Sequence, residues 1–153
     1  MAILPADPKS TFTAHRREVL EAVERVLDGG RYILGEETKA FEAEFASYCG
    51  VGHGLGVGSG TDALHVALRA MGVGPGDAVL TVSHTAVATV AAIELTGASP
   101  ILVDIDEATF NMSPVSLQAA VEASRQTHRL KVVAPVHLYG HPADMTALGR
   151  IAQ

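Results

Sequence analysis

The sequence predicts an α/β protein built on an open, mainly parallel, doubly wound sheet flanked by helices. Short apolar segments begin near residues 54, 78, 100 and 131, and a segment of helical character follows each one. This is the spacing of strand–helix–strand crossovers. The segments lack polar alternation, as strands buried on both faces do. Apolar residues make up 48% of the 153 residues, which is enough for a sizeable core.

Residues 1–50 are predicted to form an N-terminal helical segment. Residues 12–27 place apolar side chains at helical spacings with charges between them. Gly29 and Gly30 end this helix, because glycine suits the left-handed position after a helix end. A loop at 31–35 then leads to a second helix at 36–48. Tyr32 lies in this loop, where it is predicted either to contact a substrate or to pack between the helices.

Residues 51–153 are predicted to hold the repeating strand–helix units. The predicted strands are 54–58, 78–82, 100–103 and 131–136. The predicted helices are 61–71, 85–96, 116–124 and a last helix opened by Pro142. Turns rich in glycine and proline separate these elements at 72–77 and 97–99.

Composition excludes several classes of protein. The formal charge is −6, from 11 Lys and Arg against 17 Asp and Glu, so nothing favours binding to a nucleic-acid backbone. Cys49 is the single cysteine, which excludes a disulfide framework and fits a reducing compartment. No stretch approaches the roughly 20 apolar residues of a membrane helix, and the start does not resemble a signal peptide. The sequence therefore predicts a cytoplasmic protein that binds neither nucleic acid nor membrane.

The run Gly56-Val57-Gly58-Ser59-Gly60-Thr61 is the strongest local motif, because glycines there precede the start of a predicted helix. Unpaired N–H groups at a helix N-terminus can bind an anion, and Gly60 allows close approach of the backbone. These residues predict a phosphate site. The alternative is that Ser59 or Thr61 only caps the helix.

Two further segments follow strand ends, where ligands gather in open α/β sheets. His84 could stack on a ligand ring or donate to it, or it could be a helix-entry residue without a partner. His137 and His141 lack a nearby carboxylate or thiol, so no metal site is predicted there. Asp104 and Asp106 follow the third predicted strand, and a polar-loop or helix-cap role is the expected one.

These motifs, in this order, resemble the DegT/DnrJ/StrS family of pyridoxal-phosphate (PLP) sugar aminotransferases. The matching segments are residues 30–35, 42–50, 58–64, 74–77, 103–106, 135–140 and 142–145. The resemblance implies the aspartate-aminotransferase-like fold, called fold type I. Residues 51–153 would then be the N-terminal part of an incomplete large, PLP-binding domain.

The resemblance also implies site residues. Gly60, Thr61 and Asp62 match the contacts to the cofactor phosphate. The family has a large aromatic ring on the pyridine two positions after the residue matching His84, but this chain has Ala86 there. We therefore expect His84 to supply the ring instead.

The family's chemistry needs a Schiff-base lysine and an aspartate that pairs with the pyridinium nitrogen. Neither matches a residue of this chain, since Lys9, Lys39 and Lys131 lie elsewhere. We expect the N-terminal part of a longer homodimeric enzyme, inactive alone. The whole enzyme would move an amino group from an amino acid, expected to be glutamate, to a nucleotide-linked keto-sugar. The alternatives are a PLP-dependent sugar dehydratase of the same family and a non-catalytic, truncated α/β binding module.

Overall fold

A computed structural model describes residues 6–153, which divide into two compact units, the first ending at Gly56 and the second running Val57–Gln153. The helices are α1 (Pro8–Ala14), α2 (Arg16–Gly29), α3 (Glu36–Cys49), α4 (Gly60–Ala70), α5 (Val87–Leu95), α6 (Pro114–Ser124) and α7 (Met145–Ile151). The strands are β1 (Asp77–Val82), β2 (Ser99–Val103) and β3 (Arg129–Ala134).

The first unit is helical, as the sequence predicts, but residues 12–27 do not form one helix. The chain leaves helical geometry at His15, so α1 ends there and α2 begins at the next residue. The Asp7 carboxylate accepts a bond from the Ser10 N–H and thereby starts α1. Gly30, with φ of 64°, ends α2 in the left-handed conformation that the sequence indicates.

The predicted strand at 54–58 is wrong. This stretch is irregular, and no described strand pairs with it. Its backbone lies instead against α3, where the Gly56 N–H donates to Glu42 Oε1 over 2.7 Å. A Cβ on Gly54 would lie 2.6 Å from the Glu42 carbonyl oxygen, so glycine permits this approach. Leu55 is 77% exposed, so the apolar character read as a strand is not used in a sheet.

The second unit contains a three-stranded parallel sheet in the order β2-β1-β3. The three later predicted strands are therefore confirmed. Every residue of the central strand β1 is buried. Val79 packs with Leu68 of α4 and Ile93 of α5 in one apolar cluster. Its neighbour Leu80 faces the other way, toward Leu117 of α6 and Leu148 of α7. Since helices cover both faces, the doubly wound sheet is confirmed.

An ion pair joins the first residues of β1 and β3. The buried Asp77 carboxylate accepts hydrogen bonds from Arg129 and from the Gly74 N–H. Burial acts to raise the pKa of Asp77, but the Gly74 hydrogen bond and the Arg129 guanidinium outweigh it, and the pKa lies below its ordinary value. This network fixes the turn before β1 to the start of β3.

Two later helices begin after their predicted starts. Residues 83–86 form a bend, so α5 starts at Val87 rather than at Thr85. Pro142 precedes the last helix but does not open it, because the Asp144 carboxylate caps α7 by accepting from the Ala147 N–H over 2.9 Å. Both shifts lengthen the loops that leave the carboxyl ends of β1 and β3.

The strand order also determines where the connections change from one face of the sheet to the other. The connection from β1 runs through α5 to β2, and the connection from β2 then passes through α6 to β3, on the other side of β1. The loop after β1 leads to α5, which packs on the Val79 face, and the loop after β3 leads to α7, which packs on the Leu80 face, so these two loops leave toward opposite faces of the sheet. Open α/β sheets bind ligands in the crevice at such a switch point, outside the carboxyl ends of the strands.

Candidate functional site

The first turn of α4 is closed by a reciprocal cap. Ser59 Oγ accepts from the Asp62 N–H at 3.1 Å and donates to Asp62 Oδ2 at 2.9 Å. The predicted capping role of Ser59 is confirmed. Both the N–H and the carboxylate of Asp62 are bonded to Ser59. The contact of Asp62 with a cofactor phosphate stays a prediction.

The cap leaves two donors of this helix end without a partner. The N–H groups of Gly60 and Thr61 have no acceptor among the described residues. A Cβ placed on Gly60 would meet no atom within 4 Å, so the space beside this backbone is open. Unpaired N–H groups at the positive end of a helix dipole suit an anion. The residues present therefore fit a phosphate group.

The chain order leads us to expect the start of α4 and His84 at the same edge of the sheet. Helices of crossover units run antiparallel to their strands, so α4, which precedes β1, begins at the carboxyl edge. His84 follows the end of β1 by two residues and is exposed. Ala86, where the family pattern has an aromatic ring, is the exposed residue before α5 and makes no side-chain hydrogen bond.

His84 lies in a cluster of three rings. Its Nε2 is 3.3 Å from the hydroxyl oxygen of Tyr139, and its ring centroid is 6.1 Å from that of Tyr139. The Phe110 ring completes the cluster at 6.2 Å from His84 and 6.3 Å from Tyr139. The alternative that His84 has no partner is therefore wrong. We call these three residues the ring cluster.

Sequence reasoning missed two members of the ring cluster. Tyr139 lies in the segment after β3, so its strand-end position was a usable signal. Phe110 lies in the loop between β2 and α6, and no motif marks it. Both residues have positive φ, 58° at Phe110 and 55° at Tyr139, which is uncommon for aromatic residues.

Asn111 connects the two loops that present these rings. Its buried side chain accepts from the Leu138 N–H at 3.3 Å and donates to the His141 carbonyl at 3.0 Å. It thereby holds both ends of the turn that carries Tyr139. Since buried amides are costly unless paired, this arrangement favours one geometry of the turn.

The side chains of His137 and Asp106 have structural partners. His137 Nδ1 accepts from the Ala143 N–H at 2.9 Å. Asp106 Oδ1 accepts from the N–H groups of Ala108 and Thr109, which confirms its predicted loop role. Within residues 6–153, no group of three or more His, Cys, Asp or Glu side chains could hold a metal ion.

Tyr32 belongs to the first unit and is described within it. Its hydroxyl donates to the Leu27 carbonyl over 3.4 Å, and the residue is 67% exposed. The Tyr32 side chain is therefore not buried between the helices. Its contact with a substrate stays a prediction. Of the helices from residue 6 onward, none combines the length and apolar character needed to cross a membrane.

Comparison with known proteins assigns the chain to a family. The family model described as "DegT/DnrJ/EryC1/StrS aminotransferase family" matches residues 13–153. The chain belongs to this family. Among curated members, a dTDP-3-amino-3,4,6-trideoxy-alpha-D-glucose transaminase of Streptomyces venezuelae is 47% identical over 95% of this chain and 37% of its own length. A UDP-N-acetyl-3-dehydro-alpha-D-glucosamine 3-aminotransferase of Acidithiobacillus ferrooxidans is 43% identical over 99% of this chain and 40% of its own length. The chain thus spans well under half of the curated family members that it matches.

Solved structures of the family agree with the fold. An aminotransferase of this family from Brucella abortus gives a TM-score of 0.93 at 35% identity, over 99% of this chain and 41% of its own. The Bacillus subtilis protein NtdA, solved with its cofactor PMP bound, gives a TM-score of 0.83 at 32% identity, over 91% of this chain and 31% of its own. The α/β architecture predicted from the sequence is therefore that of the family's PLP-type aminotransferases.

Proposed function

We propose that this chain supplies the phosphate-binding part of a PLP-dependent enzyme that aminates a nucleotide-linked keto-sugar. Family membership supports amino-group transfer. The names of the Streptomyces and Acidithiobacillus relatives, one with a dTDP-sugar and one with a UDP-sugar, support the nucleotide-linked substrate. Those names also favour amination over the dehydration considered as an alternative. The amino donor, for which glutamate is our expectation, belongs to the same proposal.

One observation carries the proposal at the level of residues. The N–H groups of Gly60 and Thr61 have no acceptor among the described residues, and we expect them at the same sheet edge as His84. In our proposal they hold the phosphate of the cofactor, while the His84 ring contacts its pyridine. When bound, PLP supplies the electron sink that amino-group transfer requires. Ser59 and Asp62 contribute indirectly, because their mutual cap stabilises the first turn of α4, which carries the two free N–H groups.

The variant Gly60→Pro tests the phosphate site. Proline is tolerated at the first helical position, and Ser59, with ψ of 166°, already has the extended backbone that precedes proline. The substitution therefore removes one N–H donor without breaking α4. A hydrogen bond to a charged group contributes about 1.5–3 kcal/mol, so we expect affinity for PLP, measured by absorbance titration, to fall by roughly 10- to 150-fold.

The matched control is Glu36→Pro, at the first position of α3, which follows an extended Gly35 with ψ of −170°. It tests proline insertion itself and should leave PLP affinity unchanged. Thermal unfolding of both variants reports whether the helices remain intact. Equal PLP affinity in Gly60→Pro and the unmodified protein would rule out this donor.

The lysines of the chain give a second test. Lys39 is paired with Glu36 at 2.8 Å, and Lys131 lies within β3, away from its carboxyl end. Lys9 lies in α1. We expect borohydride treatment in the presence of PLP to give no stoichiometric reduced adduct at any of the three, as measured by peptide mass spectrometry. A stoichiometric adduct at one of them, accompanied by transaminase activity, would contradict this expectation.

We also propose that the whole protein acts as a homodimer in the cytoplasm. The exposed, unpaired Cys49 supports a reducing compartment, and the family resemblance supports the dimer. Sedimentation equilibrium should give twice the subunit mass. A monomeric mass across micromolar concentrations would exclude the dimer.

A further inference from the structure

The ring cluster points to a role for Tyr139 that the proposed function does not include. We infer that Tyr139 is a positioning residue: its hydroxyl and ring fix the orientation of the His84 ring at the carboxyl edge of the sheet. The inference rests on the proposed function in one respect, namely that His84 contacts the cofactor ring. The contact between the two side chains can be tested separately.

The contact between His84 and Tyr139 joins the loops of two neighbouring strands. His84 follows β1 and Tyr139 follows β3, and these neighbouring strands send their loops toward opposite faces. The 3.3 Å contact between His84 Nε2 and the Tyr139 hydroxyl therefore spans the switch-point crevice. A ligand in this crevice would lie beside a histidine whose ring is hydrogen-bonded to Tyr139 on the opposite side of the crevice.

The contact with Tyr139 also limits the freedom of the His84 ring. The residue is exposed, and its Nδ1 has no partner among the described residues. An exposed side chain samples several rotamers, and the ordering of its ring costs entropy when a ligand binds. The hydrogen bond to Tyr139 and the flanking Phe110 ring restrict this sampling beforehand, while Nδ1 stays open to a ligand.

Two members of the ring cluster have an uncommon backbone geometry. Leu34, Phe110 and Tyr139 are the non-glycine residues with positive φ among residues 6–153, and two of these three contact His84. Backbone strain of this kind persists only where surrounding contacts hold it, and it clusters at functional sites. Here the Asn111 side chain bonds both ends of the Tyr139 turn, and the Phe110 N–H donates to the Asp106 carbonyl over 2.8 Å.

The test uses Tyr139→Phe, which keeps the ring and removes the hydroxyl. Nitrogen chemical shifts of the histidine rings are measured by NMR in the cofactor-free protein, and the His84 signals are assigned by their loss in His84→Ala. Tyr48→Phe is the matched control, since Tyr48 is 87% exposed and its hydroxyl has no hydrogen bond among the described residues. We expect Tyr139→Phe to shift the His84 Nε2 signal and Tyr48→Phe to leave it unchanged.

Ligand binding provides the second measurement. The cost of ordering one side chain on binding corresponds to about a twofold to tenfold change in affinity, so we expect Tyr139→Phe to weaken PLP binding by that factor. Affinity for inorganic phosphate, which needs Gly60 and Thr61 but no ring, should not change. An equal loss for both ligands would indicate general disruption and would overturn the positioning role.

The failure of each claim gives a different result. If the His84 Nε2 signal is the same in Tyr139→Phe and the unmodified protein, Tyr139 does not position His84. If that signal shifts but His84→Ala binds PLP with unchanged affinity, the contact is real but the proposed ring contact of His84 is wrong, and with it the functional part of this inference. Support requires both the shift and the selective loss of PLP affinity.

Discussion

Gly97 shows how a single residue limits the path between α5 and β2. It has φ of 84°, and a Cβ at this position would lie 2.9 Å from Pro75 Cγ. An alanine there would meet both an unfavourable backbone conformation and a proline ring with little freedom to move. We expect Gly97→Ala to lower the free energy of unfolding by about 1–3 kcal/mol, as measured by urea denaturation.

Gly149→Ala is the control at the same scale. Gly149 lies within α7, where a Cβ would meet no atom within 4 Å. Alanine favours a helix interior over glycine, so the variant should be neutral or up to about 1 kcal/mol more stable. Equal destabilisation by the two substitutions would show that the contact with Pro75 is not the cause.

At the scale of one element, α6 covers a sheet face with one side and contacts solvent with the other. Leu117 is fully buried in the cluster with Leu80 and Leu148, whereas Val115 is 80% exposed. Leu117→Ala should cost about 2–5 kcal/mol in the free energy of unfolding. Val115→Ala should change it by less than about 0.5 kcal/mol. Chemical denaturation of both variants checks this, and a similar loss for both would contradict the assigned face.

The individual strands show what the sequence could predict. The strands 78–82, 100–103 and 131–136 were predictable because they are apolar runs bounded by turn residues, and the structure places strands at all three. The run at 54–58 has a similar composition, but Gly54 and Gly56 serve close contact with Glu42 rather than strand pairing. Composition does not distinguish these two uses of glycine, because the distinction depends on the neighbouring helix.

For the molecule as a whole, the ion pair between Asp77 and Arg129 makes stability depend on pH. The Asp77 pKa is lower in the folded chain than its ordinary value of about 3.9, so the unfolded chain binds more protons in acid. The stabilisation is present above that ordinary value and is lost as pH falls through the folded pKa. We expect urea unfolding between pH 7 and pH 2 to show this loss, and Asp77→Asn to reduce it. An unchanged pH profile in Asp77→Asn would assign the loss to other carboxylates.

The sequence predicts only part of the candidate site, because the rest depends on how distant segments of the chain come together. The residues that we propose to bind phosphate are consecutive, so a local glycine motif indicates Gly60 and Thr61. The ring cluster combines residues from three separate loops, and no local pattern relates His84 to Phe110 or Tyr139. These residues lie close together because of the strand order in the sheet, which no local sequence pattern reveals.

That long-range assembly has a kinetic consequence. The bond between His84 and Tyr139 closes a separation of 55 residues, and the bond from Thr81 to the Ala134 carbonyl closes one of 53. Closing such loops costs chain entropy before the contacts repay it, so parallel sheets of this kind assemble slowly. The α4 turn closes over only three residues and can form early. During refolding, phosphate affinity should therefore return before the environment of the His84 ring becomes native, and the ring cluster would mark completion of the sheet.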